Sequence, residues 1–133
     1  MNKKTVLYIL IVLFSLSFVG CKKDDKPKES QPTIESKFLM EFDEYKDLEV
    51  DEVDYVEKIR YTEAGDNRET IDTYGEIKKL YNSLSKIKVL EESNGACEDN
   101  TTVYDFYTKD GKKYSFEFEC EWVIIGNIHY THD

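Results

Sequence analysis

The residues best able to do chemistry gather toward the C-terminal end of the chain. His129 and His132, with Asp133 and a glutamate from a neighbouring strand, are the candidate metal ligands. A structural zinc site needs four well-placed ligands, and an i, i+3 pair at a strand end does not align two imidazoles. An exposed tail is the better reading, and no metal is expected. Glu117, Glu119 and Glu121 form a row of carboxylates on alternate residues. Two carboxylates at the right separation can run glycoside hydrolysis, but one of them needs a cleft that raises its pKa. A solvated strand face explains the row without that role. The serines sit in no nucleophile motif, and the chain has neither a phosphate-cradling glycine loop nor a dinucleotide fingerprint. Tyr104, Tyr107, Tyr114, Trp122 and Tyr130 are aromatic platforms for a sugar or protein partner, or else core residues. The expectation is a protein that is not an enzyme, with no catalytic residue and no cofactor.

The elements that would position these groups can be read from spacing. Thr73-Tyr74-Gly75-Glu76 has the form of a capping box, with the threonine hydroxyl accepting from the third helical amide. Behind it Tyr74, Ile77, Leu80, Tyr81, Leu84 and Ile87 recur at helical spacing, which predicts one amphipathic helix packed on the core. Lys109-Asp110-Gly111 suits a hairpin turn with glycine in the left-handed bulge position. That register sets Phe106 opposite Tyr114 and Tyr104 opposite Phe116, and leaves Glu117, Glu119 and Glu121 on the other face. Val53–Tyr61 alternates as a strand, Ala64-Gly65-Asp66-Asn67 turns, and Arg68–Asp72 returns beside it. Lys88–Glu91 predicts a further strand, and Trp122–Tyr130 a last one bent at Gly126-Asn127. Over Ile34–Leu48, Phe38, Leu39, Phe42 and Tyr45 fall at helical spacing and favour an amphipathic helix, while Phe38-Leu39-Met40 could equally begin a strand.

The first twenty residues have a different character. Lys3 and Lys4 precede an apolar run over 6–19, interrupted by Ser15 and Ser17, and Gly20 precedes Cys21. This is the layout of a secretory leader, too short to span a bilayer comfortably. Phe18-Val19-Gly20-Cys21 resembles the lipobox of bacterial lipoproteins, with Phe18 in place of the usual leucine. The resemblance implies that Cys21 becomes the first mature residue and carries a diacylglyceryl thioether and an N-acyl chain such as palmitate, so the protein meets the membrane through lipid. Cys21-Lys22-Lys23-Asp24-Asp25 further resembles a lipoprotein export signal of some Gram-negative bacteria. That second resemblance implies display on the outer membrane, at the cell surface, with Lys23, Asp24 and Asp25 as the signal. Residues 21–33 hold both prolines and many charges, and predict a flexible tether.

With Cys21 lipidated, Cys97 and Cys120 are an even pair in an oxidising compartment. The hairpin register puts Cys120 opposite position 100, close to Cys97, so a structural disulfide is expected; the spacing is not the Cys-x-x-Cys of redox catalysts. Removing Lys3 and Lys4 with the leader takes the net charge from −10 to −12. Such a chain repels phosphate backbones, which argues against nucleic acid and for a basic protein partner, with a glycan ligand as the other option.

The sequence thus predicts a leader over 1–20, a lipidated tether over 21–33, and a single α+β domain over 34–133 with one main helix on an antiparallel sheet of about five to six strands. The expected role is a non-enzymatic binding or accessory module of the cell envelope. A small envelope hydrolase using Glu117, Glu119 or the histidines is one alternative, and a structural envelope component is another.

Overall fold

A computed structural model describes residues 35–133 apart from Ala96, Glu98 and Asp99. The leader, Cys21 and the Lys23-Asp24-Asp25 signal lie outside the described residues. One helix, α1 (Tyr74–Leu84), accompanies eight strands. The strands are β1 (Lys37–Phe38), β2 (Val53–Thr62), β3 (Gly65–Ile71), β4 (Lys88–Ser93), β5 (Thr101–Thr108), β6 (Lys113–Glu119), β7 (Trp122–Ile125) and β8 (Ile128–His132). They form one antiparallel sheet in the order β1-β4-β8-β7-β6-β5-β2-β3. No helix among the described residues is long and apolar enough to cross a membrane.

Two of the eight strands were not expected. The span read as one bent strand is the hairpin β7–β8, because Gly126 (φ 57°) and Asn127 (φ 66°) both take left-handed conformations. Consecutive positive φ values make the tight turn that matches strand twist, so the chain reverses there instead of bending. The other is β1, from the segment whose spacing favoured a helix and left a strand open at Phe38. Lys37 pairs with Val89 and Phe38 with Lys88. The Phe38 amide donates to the Glu41 carboxylate at 2.6 Å, and the Leu39 amide donates to the Ile87 carbonyl at 2.9 Å. These partners draw the backbone toward β4, and only a three-residue 3-10 turn, Leu39–Glu41, follows. Of the four spaced residues Leu39 and Tyr45 are nevertheless buried and Phe42 is half-buried, while Phe38 is exposed, so the apolar spacing marked the inward residues only in part.

The sheet buries one face. Register places Val56 beside Phe106, Tyr104 beside Phe116, and Phe118, Val123 and Tyr130 in one row. Phe106, Phe116, Val56 and Val123 are fully buried there. A bulge between Val53 and Tyr55 lets both Val53 and Val56 face inward, which is why the β2 alternation looks imperfect in the sequence. Ile77 and Leu84 of α1 cover this face together with the 39–48 segment. Tyr45 stacks on Phe116 with ring centroids 4.2 Å apart, and the Tyr81 hydroxyl donates to the Leu48 carbonyl at 3.2 Å.

At the start of α1 the expected capping box is replaced. The Thr73 carbonyl accepts from Glu76 and Ile77, while its hydroxyl donates to the Glu76 carboxylate at 2.5 Å. The two side chains satisfy each other, and neither caps a backbone amide.

Candidate functional site: the open face of the sheet

Among the described residues no helix covers the second face of the sheet. Its rows run from Tyr55, Glu57, Ile59 and Tyr61 on β2, through Val103, Asp105 and Tyr107 on β5, to Ser115, Glu117 and Glu119 on β6. Trp122 and Ile124 of β7 and His129 of β8 complete it.

At one end Tyr55 and Tyr107, neighbours across β2 and β5, stack with centroids 4.7 Å apart. The Tyr107 hydroxyl donates to the Glu57 carboxylate at 3.3 Å, and the Lys113 ammonium lies 5.8 Å from the centre of the Tyr107 ring. Behind them Asp105, only 4% exposed, is paired with Lys113 at 2.9 Å and accepts from the Ser115 hydroxyl at 2.6 Å. A carboxylate removed from water needs such partners. The charge-assisted hydrogen bond to Asp105 pushes the Lys113 pKa up, and desolvation pushes that of Tyr107 up.

At the other end Glu119 lies diagonally across β7 from His129. His129 Nε2 sits 2.5 Å from Glu119 Oε2, and the imidazole meets the Trp122 ring edge-on at 6.2 Å. Trp122 in turn packs over Gly95, where a methyl group would overlap the indole. The disulfide Cys97–Cys120 lies beside this end, with Cα atoms 6.2 Å apart, and the Cys120 amide donates to the Asn100 carbonyl as the hairpin register required.

The structure divides the sequence-predicted groups. Glu117 and Glu119 share the open face, but Glu121 leaves the row because Cys120 (φ 52°) and Glu121 form the β6–β7 turn. His129 joins Glu119, whereas His132 emerges on the covered side against Phe118, with centroids 5.9 Å apart. Asp133 is exposed at the chain end, its amide donating to the Lys88 carbonyl. Hence the two histidines share no ligand position, and no group of three or more His, Cys, Asp or Glu suited to a metal occurs among the described residues. Of the aromatics, Tyr107 and Trp122 stand on the open face, Tyr104 and Tyr114 flank the covered one, and Tyr130 is core. The Asp105–Lys113–Ser115 cluster and the Tyr55–Tyr107 stack were missed. Hairpin register alone puts Asp105 opposite Ser115, so the first had a local signal; the second needs the distant pairing of β2 with β5.

No family model, no curated protein and no solved structure matches this chain.

Proposed function

We propose that the protein is a lipid-anchored lipoprotein of the cell envelope, displayed on the outer membrane. On this reading its folded part is a non-enzymatic binding module for a basic protein partner. The observation that carries the binding role is the open sheet face, where the stacked Tyr55–Tyr107 pair stands beside Glu57 and shares the face with the carboxylates of Glu117 and Glu119. Broad aromatic surface at low conformational cost is what protein interfaces use, and the carboxylates favour a cationic partner. The anchor rests on Gly20-Cys21, and the display on Lys23, Asp24 and Asp25.

Two experiments test this. Incorporation of labelled palmitate should be lost in Cys21→Ser, and a membrane-impermeant label on intact cells should reach the wild type but not Lys23→Ala/Asp24→Ala/Asp25→Ala. Unchanged labelling in either variant removes that half of the proposal. For the binding role, the full chain and Tyr55→Ala/Tyr107→Ala are compared on arrays of cationic polypeptides and of glycans, with circular dichroism to check folding. Saturable binding to polypeptides that falls about tenfold or more in the variant is expected, since aromatic anchors dominate such interfaces. Binding confined to glycans would change the partner class, and binding to neither would favour a structural envelope component.

A second reading, a small envelope hydrolase, has one observation in its favour: the Glu119–His129 pair. A carboxylate that orients an imidazole is the setting of a general base. No hydroxyl or thiol among the described residues is hydrogen-bonded to His129, so the base would have to activate water. Alanine at His129 and His132 should leave binding of the cationic polypeptides intact; a hydrolytic activity lost in Glu117→Ala/Glu119→Ala/His129→Ala/His132→Ala while its fold persists would replace the binding reading.

A further inference from the structure

Strand β6 is longer than its neighbour. β5 accompanies it from Lys113 to Glu119, but β7 pairs only with Glu117, Phe118 and Glu119. The two-residue turn at Cys120-Glu121 makes Glu119 and Trp122 a hydrogen-bonded pair, and such pairs alternate along an antiparallel ladder. The backbone groups of Glu117, Ser115 and Lys113 therefore point to the β7 side. Because β7 ends at Ile125 and the chain turns back at Gly126–Asn127, Ser115 and Lys113 present theirs to a gap in the sheet. Among the described residues no backbone hydrogen bond outside the β5 ladder reaches 113–116. An unpaired strand edge is a template for another extended chain.

The gap is an open notch of about 410 Å³ with side-chain walls. Glu44 and Tyr45 line it together with Lys113, Ser115 and Glu117 of β6 and Asn127 of the β7–β8 turn. Among the described residues no strand pairs with the outer side of β3 either, but its exposed Asp66, Arg68 and Glu69 are of mixed sign. The notch has a defined sign. Lys113 is held by Asp105, whereas Glu44 and Glu117 are in no ion pair among the described residues. Both carboxylates act on one spot: after burial, they are the charges that raise the Tyr45 pKa.

We infer that this notch receives an extended segment of a basic polypeptide, which adds a short strand beside Lys113–Phe116 and sets a cationic side chain between Glu44 and Glu117. The inference rests on the binding-module reading and deepens it by naming the docking mode. Four residues of strand span roughly 13 Å, so the segment is short and its end abuts the β7–β8 turn.

The test uses the isotope-labelled full chain and a capped peptide of alternating valine and lysine. Saturable shifts at the Lys113 and Ser115 amides, with exchange of both slowed about tenfold or more, are expected. The same peptide N-methylated on the amides that would face β6 should not bind, and Glu44→Lys/Glu117→Lys should weaken binding about tenfold or more. Glu44→Gln/Glu117→Gln serves if the charge reversal disturbs the fold. Equal binding of the methylated peptide, or shifts confined to the Tyr55–Tyr107 face, overturns the notch and leaves the binding module standing. Failure of every cationic polypeptide to bind removes both. Slowed exchange without peptide, growing with protein concentration and apparent mass, would assign the notch to a second copy of the chain and also overturn the inference.

Discussion

Tyr45 concentrates the physics of this domain in one side chain. Only 4% exposed and stacked on Phe116, it holds its phenol where an oxyanion would be poorly solvated and would face Glu44 and Glu117. Its pKa is pushed up from 10.0 to about 12, first by burial and then by those two carboxylates. Burial likewise raises Tyr130. A raised phenol pKa means that above its unfolded value the unfolded chain releases a proton that the native chain keeps. The stability contributed is whole below pH 10 and is lost as pH rises toward 12, by roughly 2–3 kcal/mol for Tyr45 alone. Tyr45→Phe should therefore flatten the alkaline decline of the urea midpoint across that window, while changing stability at neutral pH by about 1 kcal/mol or less. An unchanged decline would show that the phenol is solvated in the native state. The sequence marked Tyr45 as apolar-facing through its spacing with Phe38 and Phe42. Asp105 also had a local signal, since the hairpin register sets it opposite Ser115, but its burial depends on the distant pairing of β5 with β2.

At the scale of elements, local signals were legible and distant ones were not. The β5–β6 hairpin has the anticipated register, because Lys109-Asp110-Gly111 makes the turn with Gly111 at φ 84° and the Gly111 amide donating to Thr108 at 2.9 Å. α1 was equally plain, since six apolar residues at helical spacing require a partner surface. The helical reading favoured over Ile34–Leu48 failed because Lys37, Phe38 and Leu39 are bound by Val89, Lys88 and Ile87, residues some fifty positions away. A similar distant contact decides the Glu119–His129 end of the open face. Trp122 lies over Gly95, and a methyl group there has no room. Gly95→Ala should displace the indole and destabilise the domain by about 1–3 kcal/mol, the usual range for overpacking. The chain has one tryptophan, so its fluorescence reports the displacement without interference. A variant with wild-type emission and an unmoved urea midpoint would show that the loop before Asn100 yields without affecting the sheet.

The whole molecule is organised by pairings that its local signals do not contain. β3 and β4 follow one another in sequence but lie at opposite ends of the sheet, one at the edge and one next to β1, so α1 must carry the chain across. Every such closure fixes a long loop before any contact rewards it. The disulfide shortens one of them: it ties the approach to β5, at Cys97, to the β6–β7 turn at Cys120, across a separation of 23 residues. Loop-closure entropy for that span amounts to roughly 3 kcal/mol taken from the unfolded chain. Cys97→Ser/Cys120→Ser should lower unfolding stability by about that amount at neutral pH, and dithiol reduction of the wild type should reach the same urea midpoint. A reduced wild type that keeps its oxidised midpoint would mean that strand pairing alone already holds this end of the sheet. The prediction also bears on place. On the envelope location proposed above, a bond of this kind persists outside and not in a reducing cytosol, so the chain expressed without residues 1–20 should be the less stable form by the same few kcal/mol. If the form without residues 1–20 matches the full chain in stability, the bond contributes nothing that the compartment provides, and the proposed envelope location loses the support of the fold.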